Sequence, residues 1–109
     1  MEGHIVVMTT VSDDDAAVEI ADAVINEGLA ACCNIISGVR SIYIWKGERY
    51  DEQEVLCIMK TRSRLFEELK ARIVELHGYE VPEVIAIDIK DGHADYLKWI
   101  DRATGLKKG

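Results

Sequence analysis

Proline is almost absent from this chain. Pro82 is the single example, so no proline-rich linker or recognition segment exists and a ring-locked φ constrains one place only. Cysteine occurs three times, an odd set, and none of the Cys-x-x-Cys, His-x-x-x-His or His-Glu-x-x-His spacings is present. That argues against a disulfide framework and against a closed structural metal site, which needs about four protein ligands. Cys32 and Cys33 adjoin in a strand-like stretch where successive side chains point to opposite faces, so they should not chelate one ion together. Reduced, largely buried thiols are expected.

Basic residues are scarce too. Lys and Arg total 13 against 20 Asp and Glu, a formal net charge of −7, which argues against a phosphate-backbone binder and makes nucleic acid an unexpected partner. No apolar run approaches the ~18 residues of a membrane-spanning helix, so no membrane partner is expected. The start, Met1-Glu2-Gly3-His4, lacks the basic region and apolar stretch of a secretion signal, and the expected location is cytoplasmic. With no linker, low-complexity tract or repeat, residues 1–109 read as one domain, and 49% apolar residues suffice for a core without staples.

What is present is a clean switching of apolar period. His4 to Val11 is a β-type run; Ser12 stands three residues before Asp15 as in a capping box, and Ala17, Ile20, Ala21, Val24 and Ile25 follow at helical spacing. This predicts a helix over 13–27 that Gly28 ends. Leu29 to Ile36 is an apolar strand, and Ser41 to Trp45 alternates. Lys46-Gly47-Glu48 is read as a hairpin turn, with a return strand from Tyr50 to Thr61 whose two faces are both largely apolar and expected to be covered. Ser63 is placed to cap a second helix with Phe66, Leu69, Ile73 and Leu76 as its inner stripe; a strand over 83–89 and a short helix carrying Tyr96, Leu97 and Ile100 precede a basic tail. The order βαββαβ plus a helix is the α+β, ferredoxin-like pattern. The hairpin arms carry Ile42, Ile44, Trp45, Val55 and Leu56 in place of edge-blunting lysines, which predicts strand-edge pairing between identical subunits.

The densest candidate site is His77-Gly78-Tyr79-Glu80-Val81-Pro82-Glu83, where an imidazole, a phenol and carboxylates surround the one proline, with Gly78 expected to give the backbone freedom that ends the helix. His77 and Glu83, with Cys32 or a residue from a neighbouring subunit, are the candidate ligands of a weak metal site; His77 alone is also suited to cap the helix C-terminus. Glu54 and Lys60 share a strand face among apolar neighbours and should find partners, in an inter-subunit ion pair, a hydrogen bond to Tyr79 or a ligand. Trp45, Trp99, Tyr43 and Tyr96 suit either interface packing or a ligand pocket. Lys60, Arg62 and Arg64 form a basic cluster without a Gly-rich phosphate loop, read as a solvated edge. No motif pairs a serine or cysteine with a histidine, so no enzyme is expected.

Six separated motifs occur in one order: Thr9-Thr10; Leu29-Ala30-Ala31-Cys32 with Asn34-Ile35; Ser41-x-Tyr43-x-Trp45-x-Gly47; Lys60-Thr61; His77-x-Tyr79-x-x-Pro82-Glu83; and Tyr96-Leu97-x-Trp99-Ile100. Over about residues 5 to 101 the chain resembles the CutA divalent-cation tolerance family. The resemblance implies a ferredoxin-like homotrimer joined through long hairpins and associated with tolerance to copper and other divalent metals, none of them an obligatory cofactor. Two departures stand out. Gly78 replaces the proline usual after the histidine, implying a less rigid loop, and Met8 and Leu76 stand where a thiol or second imidazole would strengthen a copper site. An alternative by fold analogy is a trimeric regulatory module like the PII-type proteins, using inter-subunit clefts near Trp45, Glu54, Lys60, Tyr79, Tyr96 and Trp99 for a small ligand or a partner protein.

Overall fold

In the computed structural model, which describes residues 3–105, the sheet order is β2-β3-β1-β4 and every pairing is antiparallel. The strands are β1 (His4–Val11), β2 (Cys32–Trp45), β3 (Glu48–Arg62) and β4 (Ile85–Ile89). Helix α1 (Asp14–Asn26) links β1 to β2, α2 (Phe66–Leu76) links β3 to β4, and α3 (Ala94–Ala103) closes the chain. This is the expected ferredoxin-like α+β fold with an added helix. The expected basic tail, Lys107-Lys108-Gly109, lies outside the described residues.

One sheet face carries the core. Ile5, Val7 and Val11 of β1 and Val55, Cys57 and Met59 of β3 meet Ala17, Ile20 and Val24 of α1 and Leu69 and Ile73 of α2. Alternation on β1 is complete, buried positions taking every second residue, as a half-covered strand requires. On β3 the other face is buried at Glu54 and more open beyond it. Leu56 and Ile58 on the other face stay half-exposed in the single chain, contrary to the expectation that both faces are covered. α3 lies at one end of this second face, tied down by His4 Nε2 to Asp101 Oδ1 at 2.8 Å and by the Arg62 guanidinium, which donates to Thr104 Oγ1 and Thr104 O at 3.0 Å each.

Gly28, at φ 73°, ends α1: its N–H donates to Ile25 O and that of Leu29 to Val24 O, with Leu29 buried against Val24. The N-cap of α1 is Asp13, which accepts from Ala16 N–H at 2.8 Å, and not Ser12. Ser63 makes no side-chain cap; Ser63–Leu65 form a 3-10 turn, and the Ser63 N–H donates to Gly3 O at 2.8 Å. Gly78 is not in the left-handed region, because α2 ends by an extended His77 at φ −75° and ψ 145°.

The hairpin decides the outline. The two apolar segments read as separate around Gly38 are one 14-residue strand, interrupted only by a bulge between Ile36 and Val39. The bulge is an extra residue opposite β3, and it realigns the outer arm so that Val39, Ser41, Tyr43 and Trp45 pair with Glu54, Glu52, Tyr50 and Glu48. Lys46 at φ 52° and Gly47 at φ 81° make the turn, the two positive φ values of a hairpin loop whose twist matches its strands. β3 therefore begins at Glu48. The arms stretch the molecule to 44 × 26 × 22 Å.

Candidate functional site

β4 pairs with β1 only from His4 to Met8. Beyond that pairing, the loop between α2 and β4 folds back on the end of β1. The His77 imidazole Nε2 lies 2.8 Å from Thr10 O, and the Tyr79 N–H donates to Nδ1 at 3.1 Å. Since Nδ1 accepts, Nε2 carries the hydrogen and donates it to the Thr10 carbonyl. Thr10 Oγ1 in turn donates to Glu83 Oε1 at 3.5 Å. Thr10 thus holds both ends of the loop.

The middle of the loop is held from the hairpin. Tyr79 donates its hydroxyl to Glu54 Oε2 at 2.7 Å, and its ring lies 4.7 Å from that of His77. Glu54, 7% exposed, is the one buried charged residue among those described. Burial first, and the Glu54 carboxylate second, push the Tyr79 phenol above its ordinary pKa. The expectation that Glu54 finds a partner is met by Tyr79 within one chain.

Between the loop and the outer arm of the hairpin opens a cleft of about 760 Å³. Trp45, Glu54, Tyr79 and Glu83 line it, joined by Glu80, Thr10, Ser41, Tyr43 and Tyr50. Thr10, Ser41 and Tyr50 are not expected there from sequence, whereas Tyr43 is one of the aromatic residues suited to a ligand pocket. The two-residue turn contained the signal, because it sets Tyr43 opposite Tyr50, where their rings stack at 5.3 Å. Within one chain, Lys60, Tyr96, Trp99 and Cys32 do not line the cleft. Lys60 is six residues from Glu54, roughly 20 Å along an extended strand, and it donates to Asn34 Oδ1. Cys32 pairs with Lys60 in register, its Sγ 3.8 Å from the Tyr96 hydroxyl, and the Tyr96 ring packs tilted against Trp99 with centres 5.5 Å apart. On the opposite face, Cys33 and Cys57 are free thiols, and a hydrogen bond to Cys57 followed by burial pushes the Cys33 thiol well above the usual thiol range.

Among the described residues no three His, Cys, Asp or Glu side chains converge on one point. A closed metal centre does not fit one chain. His77 and Glu83 do share Thr10, and His77 has the arrangement of an oriented metal ligand, with one ring N–H given to a carbonyl and the lone pair on Nδ1. Tyr79 N–H occupies that lone pair, so a metal must displace it.

The sequence profile of the CutA1 divalent ion tolerance protein family matches residues 5–103. The chain belongs to that family. A divalent-cation tolerance protein CutA of Thermus thermophilus is 45% identical over 100 residues, covering 92% of this chain and 97% of its own length. The solved T. thermophilus structure superposes with a TM-score of 0.90 at 44% identity, covering 94% and 99% of the two chains. The chloroplastic CutA 1 of Oryza sativa is 43% identical over 92% of this chain, which spans about half of that longer protein at 56%. Family members are tolerance proteins and not enzymes, and this chain is one of them. Their compartments differ: the rice relative is chloroplastic, and a solved structure from Archaeoglobus fulgidus is of a periplasmic protein. No helix among the described residues is long and apolar enough to cross a membrane.

Removing the Tyr79 hydroxyl in Tyr79→Phe leaves Glu54 Oε2 without its donor and should cost about 1 kcal/mol, the low end for a buried acceptor because Tyr79 is 38% exposed. The raised phenol pKa contributes stability that is present below the unfolded value of about 10 and lost as pH rises above it. Denaturant unfolding should therefore show the wild type losing stability above pH ~10 more steeply than Tyr79→Phe. Parallel slopes would exclude the buried hydrogen bond.

Proposed function

We propose that the protein is a cytoplasmic, homotrimeric divalent-cation tolerance protein that binds copper or another divalent ion weakly at the rim of the cleft. The observation that carries the metal reading is the orientation of His77 by the Thr10 carbonyl beside Glu83. In this reading His77 Nδ1 and Glu83 supply two protein donors, water completes the shell, and Cys32 contributes nothing from the same chain. The low donor count and the Tyr79 N–H that must yield both keep affinity modest, and nitrogen with oxygen favours Cu(II) over soft-ligand Cu(I). Competition against a chelator of known affinity should show His77→Ala and Glu83→Gln each weakening copper binding by about tenfold or more. Unchanged affinity in His77→Ala would remove the imidazole from the site.

The trimer is supported by the edges. β2 is an outer strand of 14 residues without proline, and Ile36, Ile42, Ile44, Ile85 and Ile87 are exposed in the single chain, Ile44 by 74%. Such an edge with its apolar neighbours invites pairing with a second copy. Light scattering at micromolar concentration should give three times the 12.2 kDa chain mass, and Ile36→Lys should lower it. A monomeric wild type would contradict the assembly.

The cleft itself favours a second reading, a regulatory or scaffolding module of the PII type that senses a small molecule. Its volume is that of a site for such a ligand, and its walls combine aromatic rings with a few convergent polar groups.

A further inference from the structure

The chemistry of the cleft wall is one-sided. Glu54, Glu80 and Glu83 supply three carboxylates, Tyr43, Trp45, Tyr50 and Tyr79 four aromatic rings, and no Lys, Arg or His stands among the lining residues. An anionic ligand such as a nucleotide or a carboxylate metabolite would meet like charge with only Lys46, at the exposed rim, to answer it. A purely apolar ligand would cover carboxylates that have no partner in it. A cation meets neither penalty, since carboxylates attract it and aromatic faces add quadrupole attraction.

The chain already places one ammonium group in such surroundings. Lys46, in the hairpin turn, holds Nζ 5.7 Å from the centre of the Trp45 ring and 3.4 Å from Glu80 Oε1, two groups that line the cleft. Both contacts are solvent-exposed and individually weak, Lys46 and Glu80 being 65% and 71% exposed. Deeper in, water is largely removed from one carboxylate. Glu54 is buried, only its Oε2 is taken by Tyr79, and the hydroxyl groups of Ser41 and Thr10 stand nearby on the wall.

We propose that this cleft is a recognition site for a small organic amine, with a primary ammonium group bonded to Glu54 and its carbon chain laid along Trp45 and Tyr43. The inference rests on the small-ligand reading of the cleft and names the ligand class. A primary ammonium fits better than a quaternary one, because carboxylate and hydroxyl oxygens accept its hydrogens while aromatic rings alone suffice for the other. The amine site centres on Glu54 and the rings, and the metal rim on His77, with Glu83 common to both.

Isothermal titration of the purified assembly with putrescine, spermidine, tetramethylammonium and glutarate, in 0.15 M KCl, tests the proposal. The salt suppresses general attraction of amines to an acidic protein. Putrescine or spermidine should saturate at one per chain. Trp45→Leu and Glu80→Gln, at exposed positions where folding can be checked by circular dichroism, should weaken binding about threefold to tenfold, and Glu54→Gln by about tenfold or more. Asp22→Asn, which removes one exposed charge on α1 away from the cleft, should leave binding unchanged. Equal weakening by Asp22→Asn and Glu54→Gln would overturn the site in favour of bulk electrostatics. Binding of glutarate with no binding of either amine would keep the small-ligand reading and overturn the amine. Binding of none of these probes would overturn both.

Discussion

The site depends on one backbone carbonyl. β4 is too short to follow β1 to its end, and where its pairing stops the Thr10 carbonyl takes a hydrogen from His77, a residue 67 positions away. This bond fixes the exit of α2, and with it the direction of the loop that carries Tyr79, Glu80 and Glu83. The second anchor comes from the hairpin, where Glu54 accepts the Tyr79 hydroxyl. Neither anchor alone defines a cleft. Together they stand the loop away from the outer arm of β2 and β3 and leave the space between them.

The long hairpin carries two roles on one ribbon. Near the sheet it supplies core through Val55, Cys57 and Met59, while beyond the bulge its residues serve the cleft face and the exposed edge. The single extra residue between Ile36 and Val39 separates these regimes, since it resets which side chains of β2 share a face with Glu54. Stability and recognition are thereby placed on different lengths of the same strands. Substitutions beyond the bulge should leave the core around Val55, Cys57 and Met59 intact.

The fold was legible because its elements obey period and punctuation. The stripe Leu69 and Ile73, the alternation of β1 and the stop at Gly28 are local signals that tertiary contacts reinforce. Caps were misread where several suitable residues stand together: Ser12 and Asp13 both suit an N-cap, and only the geometry selects Asp13. The site was half legible. Tyr79, Glu54, Trp45 and Glu83 were named and do meet, whereas Lys60 was grouped with Glu54 from shared alternation, which fixes a face and not a distance along it. Cys32 was grouped with His77 by chemistry alone, and strand register places it beside Lys60 and Tyr96. The outer arm is legible in the alternation from Ser41 to Trp45, whereas the register that the bulge imposes on it is not.

Membership of the family explains the architecture, and the chemistry of this chain then turns on the state of one imidazole. Long-range ¹H–¹⁵N correlation of the His77 ring would read that state directly. The account predicts an Nε2–H tautomer with Nδ1 as acceptor in the metal-free protein, and a change confined to Nδ1 on titration with diamagnetic Zn(II). An Nδ1–H tautomer, or a metal response at Nε2, would break the link from Thr10 to the loop and contradict the account.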